Sequence, residues 1–221
     1  MYEVFGKPLK VKISRRDGQP LTAHAPEYAV PPFSPDGLLP LCLADPCIKI
    51  VDFGEAFFPA KYIPQGLSTP PCFASPEVRF HGIVGPASDV WSLACLLKLV
   101  LSDRLLFGTY GGHKDEVLVD MVRTFGKLPD RWWNQWENRA KYFAEDGTRL
   151  AGDQRDWTKQ VDLKTLLLEK TSGAICKFEP EEMVAFEGII HGMVRYEPGE
   201  RISAQEVEQQ LQRLWGKGPS G

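Results

Sequence analysis

From Val90 to Leu101 apolar residues occupy nearly every position, broken only by Ser92 and Lys98. A helix without a polar face belongs inside a protein, so the run predicts a helix buried on all sides. Ser88 or Asp89 serves as its N-cap, a short side-chain oxygen that accepts from the free N–H groups of the first turn. Further on, Met183, Phe186, Ile190 and Met193 recur at helical spacing and draw one stripe along a second helix, stopped by Pro198-Gly199. A third helix opens at Ser203-Ala-Gln-Glu206, a capping box in which each side chain satisfies the other's backbone donor. Its buried face is Val207, Leu211, Leu214 and Trp215.

Ahead of these helices the pattern is different. Ile48-Lys49-Ile50-Val51 is a short β-branched run that predicts a strand, ended by Gly54. Residues 1–47 carry many prolines, with Pro31, Pro32, Pro35 and Pro40 crowded together; missing N–H groups and a fixed φ oppose both helix and central strand. They predict an irregular, extended insertion or linker. Residues 55–87 hold Pro59, Pro64, Pro70, Pro71, Pro76 and Pro86 and predict a long loop, a length that is usually functional inside a domain. The expected organisation is an irregular segment over 1–47, a mainly helical body over 48–215 and a frayed tail over 216–221. The fold class is α+β, mainly α.

Composition narrows the function. The chain has 221 residues, 43% hydrophobic and 25% charged, with a net charge of −3. That is ordinary globular chemistry, and it argues against a direct nucleic-acid partner, which calls for a strongly basic face. The five scattered cysteines fit neither a disulfide framework nor a C-x-x-C metal pair, which favours an intracellular setting, cytoplasmic or nuclear. The N-terminal residues lack the apolar core of a secretory signal, and Val90–Leu101 is too short to span a bilayer, so no membrane partner is expected.

Candidate chemistry lies in short motifs. Asp52-Phe53-Gly54 directly follows the expected strand; a carboxylate there can reach a hard cation such as Mg²⁺, or it can be an ordinary strand-to-turn junction. Ser75-Pro76-Glu77 ends the long loop, Asp89-Val90-Trp91-Ser92 begins the apolar helix, and Arg201 follows Pro198-Gly199-Glu200. Singly these read as a turn, a helix cap and a solvated arginine.

In this order, the four motifs resemble the C-terminal (large) lobe of a eukaryotic protein kinase: DFG at 52–54, an APE-like tripeptide with serine first at 75–77, the D-x-W-S start of the central helix at 89–92, and the late arginine at 201. Glu55 after the DFG, the run Gly126-Lys-Leu-Pro-Asp-Arg-Trp132-Trp133 and a long insertion before the DFG strand are similar to SR-protein kinases and their relatives. Ala74 departs from the arginine that many of those relatives carry before the APE motif.

The resemblance implies roles residue by residue. Asp52 would hold the Mg²⁺ that bridges the ATP phosphates, with Phe53 and Gly54 completing the cofactor-binding motif and Phe53 packing inward. Glu77, beside Pro76, would pair with Arg201 and pin the end of the activation segment. Asp89 would accept from the catalytic-loop backbone, Trp91 belongs to the central helix, and Phe73 takes the aromatic place in the substrate-binding loop. Ser68, Thr69 and Tyr62 lie where regulatory phosphorylation occurs in many kinases, and as unmodified hydroxyls they need no such role. Trp132, Trp133 and Trp136 read as core ahead of interface.

Phosphoryl transfer also needs a Gly-rich loop, a strand lysine paired with a helix glutamate, and a catalytic loop with Asp and Asn. None of these precedes Asp52. Arg16-Asp17 has Thr22 where that asparagine should be, and Gly216–Gly221 matches G-x-G-x-x-G without a strand before it. The expectation is a large lobe lacking its N-terminal lobe and catalytic loop, with ATP and Mg²⁺ as family cofactors and protein substrates or docking partners. Such a chain would be inactive by itself. A non-catalytic kinase remnant that binds proteins through its helical surface is the alternative.

Overall fold

Two of the prolines that argue for loop instead begin helices. The computed structural model describes residues 7–31, 44, 49–58, 69–108, 115–153, 155, 158–168 and 178–216, and it divides into units Met1–Asp52 and Phe53–Gly221. In the second unit, α1 (Pro76–His81) and α2 (Pro86–Ser102) both carry proline at the first helical position, where the missing N–H is no loss and the fixed φ suits the helix. The 55–87 segment therefore holds a helix. Gly82, at φ +64°, closes α1: its N–H reaches Val78 O and that of Ile83 reaches Glu77 O.

The cap of α2 also lies earlier than expected. Gly85 is the N-cap, and Ser88 sits one turn in, its hydroxyl accepting from Gly85 N–H at 2.9 Å and donating to Gly85 O at 2.6 Å. The helix is not buried all round: Trp91, Ala94 and Cys95 are fully buried, whereas Leu96 is 46% and Val100 72% exposed.

Helices α3 (Glu116–Phe125), α4 (Asp130–Trp133), α5 (Leu163–Leu168), α6 (Pro180–Met193) and α7 (Ala204–Trp215) complete the described body. Helix α6 packs against α2, α5 and α7, and α2 also meets α5, so α2 and α6 form the centre of the core. Met183, Phe186, Ile190 and Met193 are buried, as their spacing predicts. The helix ends at Met193 rather than near Pro198, which opens a separate 3-10 turn, Pro198–Glu200. On α7 the capping box forms, with Ser203 Oγ accepting from Glu206 N–H at 3.2 Å and Glu206 Oε2 from Ser203 N–H at 2.7 Å. Of its expected face only Val207 is fully buried; Trp215 is 39% exposed.

Helix α3 has seven buried residues in succession, from Glu116 to Val122. Asp115, just before it, accepts from Trp136 Nε1 at 2.7 Å, Asn138 Nδ2 at 2.8 Å and Tyr142 OH at 3.5 Å. This node gathers the 132–143 segment inward, and Trp132, Trp133 and Trp136 are core residues at 1–3% exposure.

In the first unit, β1 (Val11–Lys12) and β2 (Tyr28–Ala29) form an antiparallel ladder with Val11 opposite Ala29 and Lys12 opposite Tyr28. The segment expected to be irregular thus pairs where β-branched and aromatic residues fall between its prolines. The expected strand over 48–51 is absent at its described residues: Lys49, Ile50 and Val51 are exposed and unpaired in any ladder. β propensity forms no strand without a partner edge. No described helix is long and apolar enough to cross a membrane.

Beyond α4 the chain turns back on itself through an isolated bridge between Phe143 and Arg149. Asp153 then accepts from Arg155 Nε at 2.8 Å and Nη2 at 3.0 Å and from Thr158 Oγ1 at 2.8 Å. The Arg155 guanidinium, aided by Thr158, holds the Asp153 carboxyl well below the ordinary carboxylate value. A carboxyl lowered on folding stabilises fully above its unfolded value, about 3.9, and loses that contribution as pH falls through the lower folded value. Hydrogen exchange should therefore show the described amides between 149 and 158 protected from neutral to mildly acid solution and opening only in strong acid. Asp153→Asn should open them at neutral pH.

Candidate functional site

The first residues that structure brings together are the most distant in sequence. Glu77, near the N-terminus of α1, and Arg201, just after the 198–200 turn, are 5% and 8% exposed. Arg201 Nη1 donates to Glu77 Oε1 at 2.6 Å and Nη2 to Oε2 at 2.7 Å, the bidentate form that suits a planar guanidinium. Its other N–H groups reach Ala87 O at 2.8 Å, Tyr196 O at 3.2 Å and, through Nε, Arg195 O at 2.8 Å. Every N–H of the guanidinium has an acceptor. The indole of Trp91 lies against it, 5.0 Å from Cζ to the ring centre, and stacks on Phe107 at 5.2 Å.

The carbonyls of Arg195 and Tyr196 turn toward Arg201, which is why α6 stops at Met193 instead of running on toward Pro198. Sequence reasoning missed these three carbonyl acceptors, because backbone groups leave no mark in a sequence.

The turn before α1 is tied to the same helix. Phe73 is half-buried, and its carbonyl accepts from Ser92 Oγ at 3.0 Å. Pro76 is buried at the start of α1. Ser75 is wholly buried, and its Oγ has no hydrogen-bond partner among the described residues; the same holds for Trp91 Nε1. Asp89 lies in the first turn of α2, exposed at its surface, with its carboxyl pushed up by partial burial. No described residue hydrogen-bonds its side chain. Thr69 is half-buried; Ser68 and Tyr62 lie outside the described residues.

Asp52 is exposed, with φ +64°, the left-handed region that aspartate tolerates better than most residues. Phe53 through Glu55 form a single 3-10 turn, and Phe53 is 68% exposed rather than packed inward. Magnesium calls for oxygen donors in near-octahedral array, from one or two carboxylates plus phosphates. The described residues contain no cluster of three or more potential ligand side chains, and Asp52 alone is a single exposed carboxylate. They do not by themselves fit a Mg·ATP centre.

No family model matches the chain. Individual relatives do. The serine/threonine-protein kinase AFC3 of Arabidopsis thaliana is 24% identical over 160 residues, covering 72% of this chain and 39% of the relative. The serine/threonine-protein kinase SRPK of Physarum polycephalum is 28% identical over 169 residues, or 73% and 37%. SRSF protein kinase 3 of Sus scrofa is 25% identical over 173 residues, or 76% and 28%. The chain thus spans about a third of the length of these relatives. Over this stretch the chain is similar to the C-terminal region of SR-protein-kinase-like Ser/Thr kinases.

Two variants probe the clasp. Glu77→Ala strands the Arg201 charge in the interior and should cost about 3–5 kcal/mol in denaturant unfolding, with Arg201→Lys also destabilising because an ammonium cannot reproduce the fork. Ser75→Ala removes a buried hydroxyl that has no partner among the described residues and should raise stability by about 1 kcal/mol in the same measurement.

Proposed function

We propose that the chain is the large-lobe part of an ATP-dependent Ser/Thr protein kinase related to the SR-protein kinases, acting on protein substrates inside the cell. By itself it does not transfer phosphate. The observation that carries this reading is the Glu77–Arg201 clasp, which joins the APE-like tripeptide to the late arginine through a buried, fully bonded ion pair.

In this reading the clasp has a mechanical task. It fixes the end of the activation segment on the core, and the Ser92–Phe73 bond then holds the substrate-binding turn beside α2. Thr69 and Ser68, just upstream, are the hydroxyls whose phosphorylation would act on that turn. Asp89 would await the catalytic-loop backbone, a role consistent with an acid at the start of α2 that bonds to no described residue. Asp52, Phe53 and Gly54 would contribute one metal ligand and its turn to an ATP site whose Gly-rich loop, strand lysine and catalytic Asp and Asn are not among these 221 residues. ATP and Mg²⁺ are therefore cofactors of the complete enzyme.

A purified preparation of the 221-residue chain should show no autophosphorylation and no stoichiometric Mg·ATP binding by calorimetry. Either activity would overturn the claim of inactivity. Kinase activity regained on fusing the chain to an N-terminal lobe and catalytic loop from a relative named above would support the enzyme reading. A fused protein that folds, binds nucleotide and still transfers nothing would favour the alternative, a protein-binding remnant.

A further inference from the structure

Between the end of α3 and the 143–149 turn lies a cleft of about 240 Å³ that none of the kinase motifs uses. Arg123, Lys127 and Arg149 line it, with Thr148 and Gln160 as neutral polar groups. Asp146 is the acidic residue of the described lining. The carboxylates that steady the three cations, Asp120, Asp130 and Asp153, are not part of the lining.

Each cation is held in place and partly withdrawn from water. Arg123 Nε lies 3.1 Å from Asp120, Lys127 Nζ 2.8 Å from Asp130, and their side chains are 11% and 32% exposed. Arg149 Nε donates to Thr158 Oγ1 at 2.8 Å, and its Nη2 to the carbonyls of Asp153 and Arg155. A guanidinium carries five N–H donors and an ammonium three, so such anchoring sets direction without exhausting the donors of Lys127 or Arg149. Charges fixed in a half-buried concavity attract a counter-charge more strongly than mobile surface cations do.

The cleft wall is built by a close approach. Gly147 has φ +83°, and a Cβ there would stand 2.6 Å from Lys127 Cβ. Only glycine lets the 143–149 turn press onto the stem of Lys127 and close the cleft beside its ammonium group.

We propose that this cleft binds a phosphate group, either as free phosphate or as the phosphomonoester of a phosphorylated side chain. Tetrahedral, multiply charged oxyanions match guanidinium and ammonium groups that line one cleft, and the volume suits a group of that size. The inference does not rest on the kinase reading and would stand if that reading failed.

Titration of the ¹⁵N-labelled chain with inorganic phosphate tests it, with a capped phosphothreonine peptide as the second arm. Saturable shifts are expected at the amides of Gly126, Gly147 and Thr148. Binding should be tighter above the second phosphate ionisation, pKa about 6 for a phosphomonoester, where the dianion dominates. Lys127→Gln should weaken binding about tenfold through loss of a charge-assisted contact, while Asp146→Asn removes the opposing charge and should tighten it. Lys164→Gln, at an exposed position of α5, should change nothing. Markedly tighter binding of the peptide assigns the cleft to a modified side chain, and equal binding assigns it to the free anion. Absence of saturable shifts in both arms, or equal losses from the Lys127 and Lys164 variants, overturns the proposal. So does Asp146→Asn, spectroscopically folded, with no gain in affinity.

Discussion

A carboxylate and a guanidinium withdrawn from water lose more hydration than their attraction returns, unless both carboxylate oxygens and every guanidinium proton find a partner. The Glu77–Arg201 pair meets that condition with two charge-assisted bonds and three carbonyl acceptors. Three separate stretches of chain converge on it: the start of α1, the first turn of α2 and the segment that follows α6. Much of the local geometry depends on this convergence. The backbone after Met193 leaves the helix to present two carbonyls, Trp91 is fixed beneath the cation, and the turn carrying Phe73 comes to rest against Ser92.

The long helices were legible because their apolar spacing is a local property. Met183, Phe186, Ile190 and Met193 mark α6, and the Ser203–Glu206 cap marks the start of α7. The prolines misled in one direction. Pro76 and Pro86 look like helix breakers when counted by density, yet each occupies the one helical position that favours it. Propensity misled in the other: Ile48–Val51 has β-branched residues but its described part has no edge to pair with, while Val11–Lys12 and Tyr28–Ala29, weaker as patterns, have each other.

For the site, the pairing of Glu77 with Arg201 is what the kinase resemblance implies, and the structure forms it. The inward packing expected of Phe53 does not occur, and the exposed ring shows that an order of motifs carries no guarantee about each side chain. Asp115 and the Arg123, Lys127 and Arg149 cleft were invisible for a related reason. Trp136 and Asn138 on Asp115, and the 143–149 wall of the cleft, lie in turns whose geometry no periodicity encodes, and Gly147 gave no hint of the close approach it permits. The likeness to SR-protein-kinase-like enzymes and the buried clasp are independent lines, one from residue identity and one from geometry, and both concern the same helical body.

The saturation of Arg201 restricts how this region can be controlled. A cation with every hydrogen already engaged has nothing left to offer a newly arrived oxyanion without first abandoning Glu77 or a main-chain carbonyl. Any covalent mark placed on the hydroxyls upstream of the APE-like tripeptide must consequently be read by some other positive group, and the clasp itself behaves as a fixed rivet rather than a sensor.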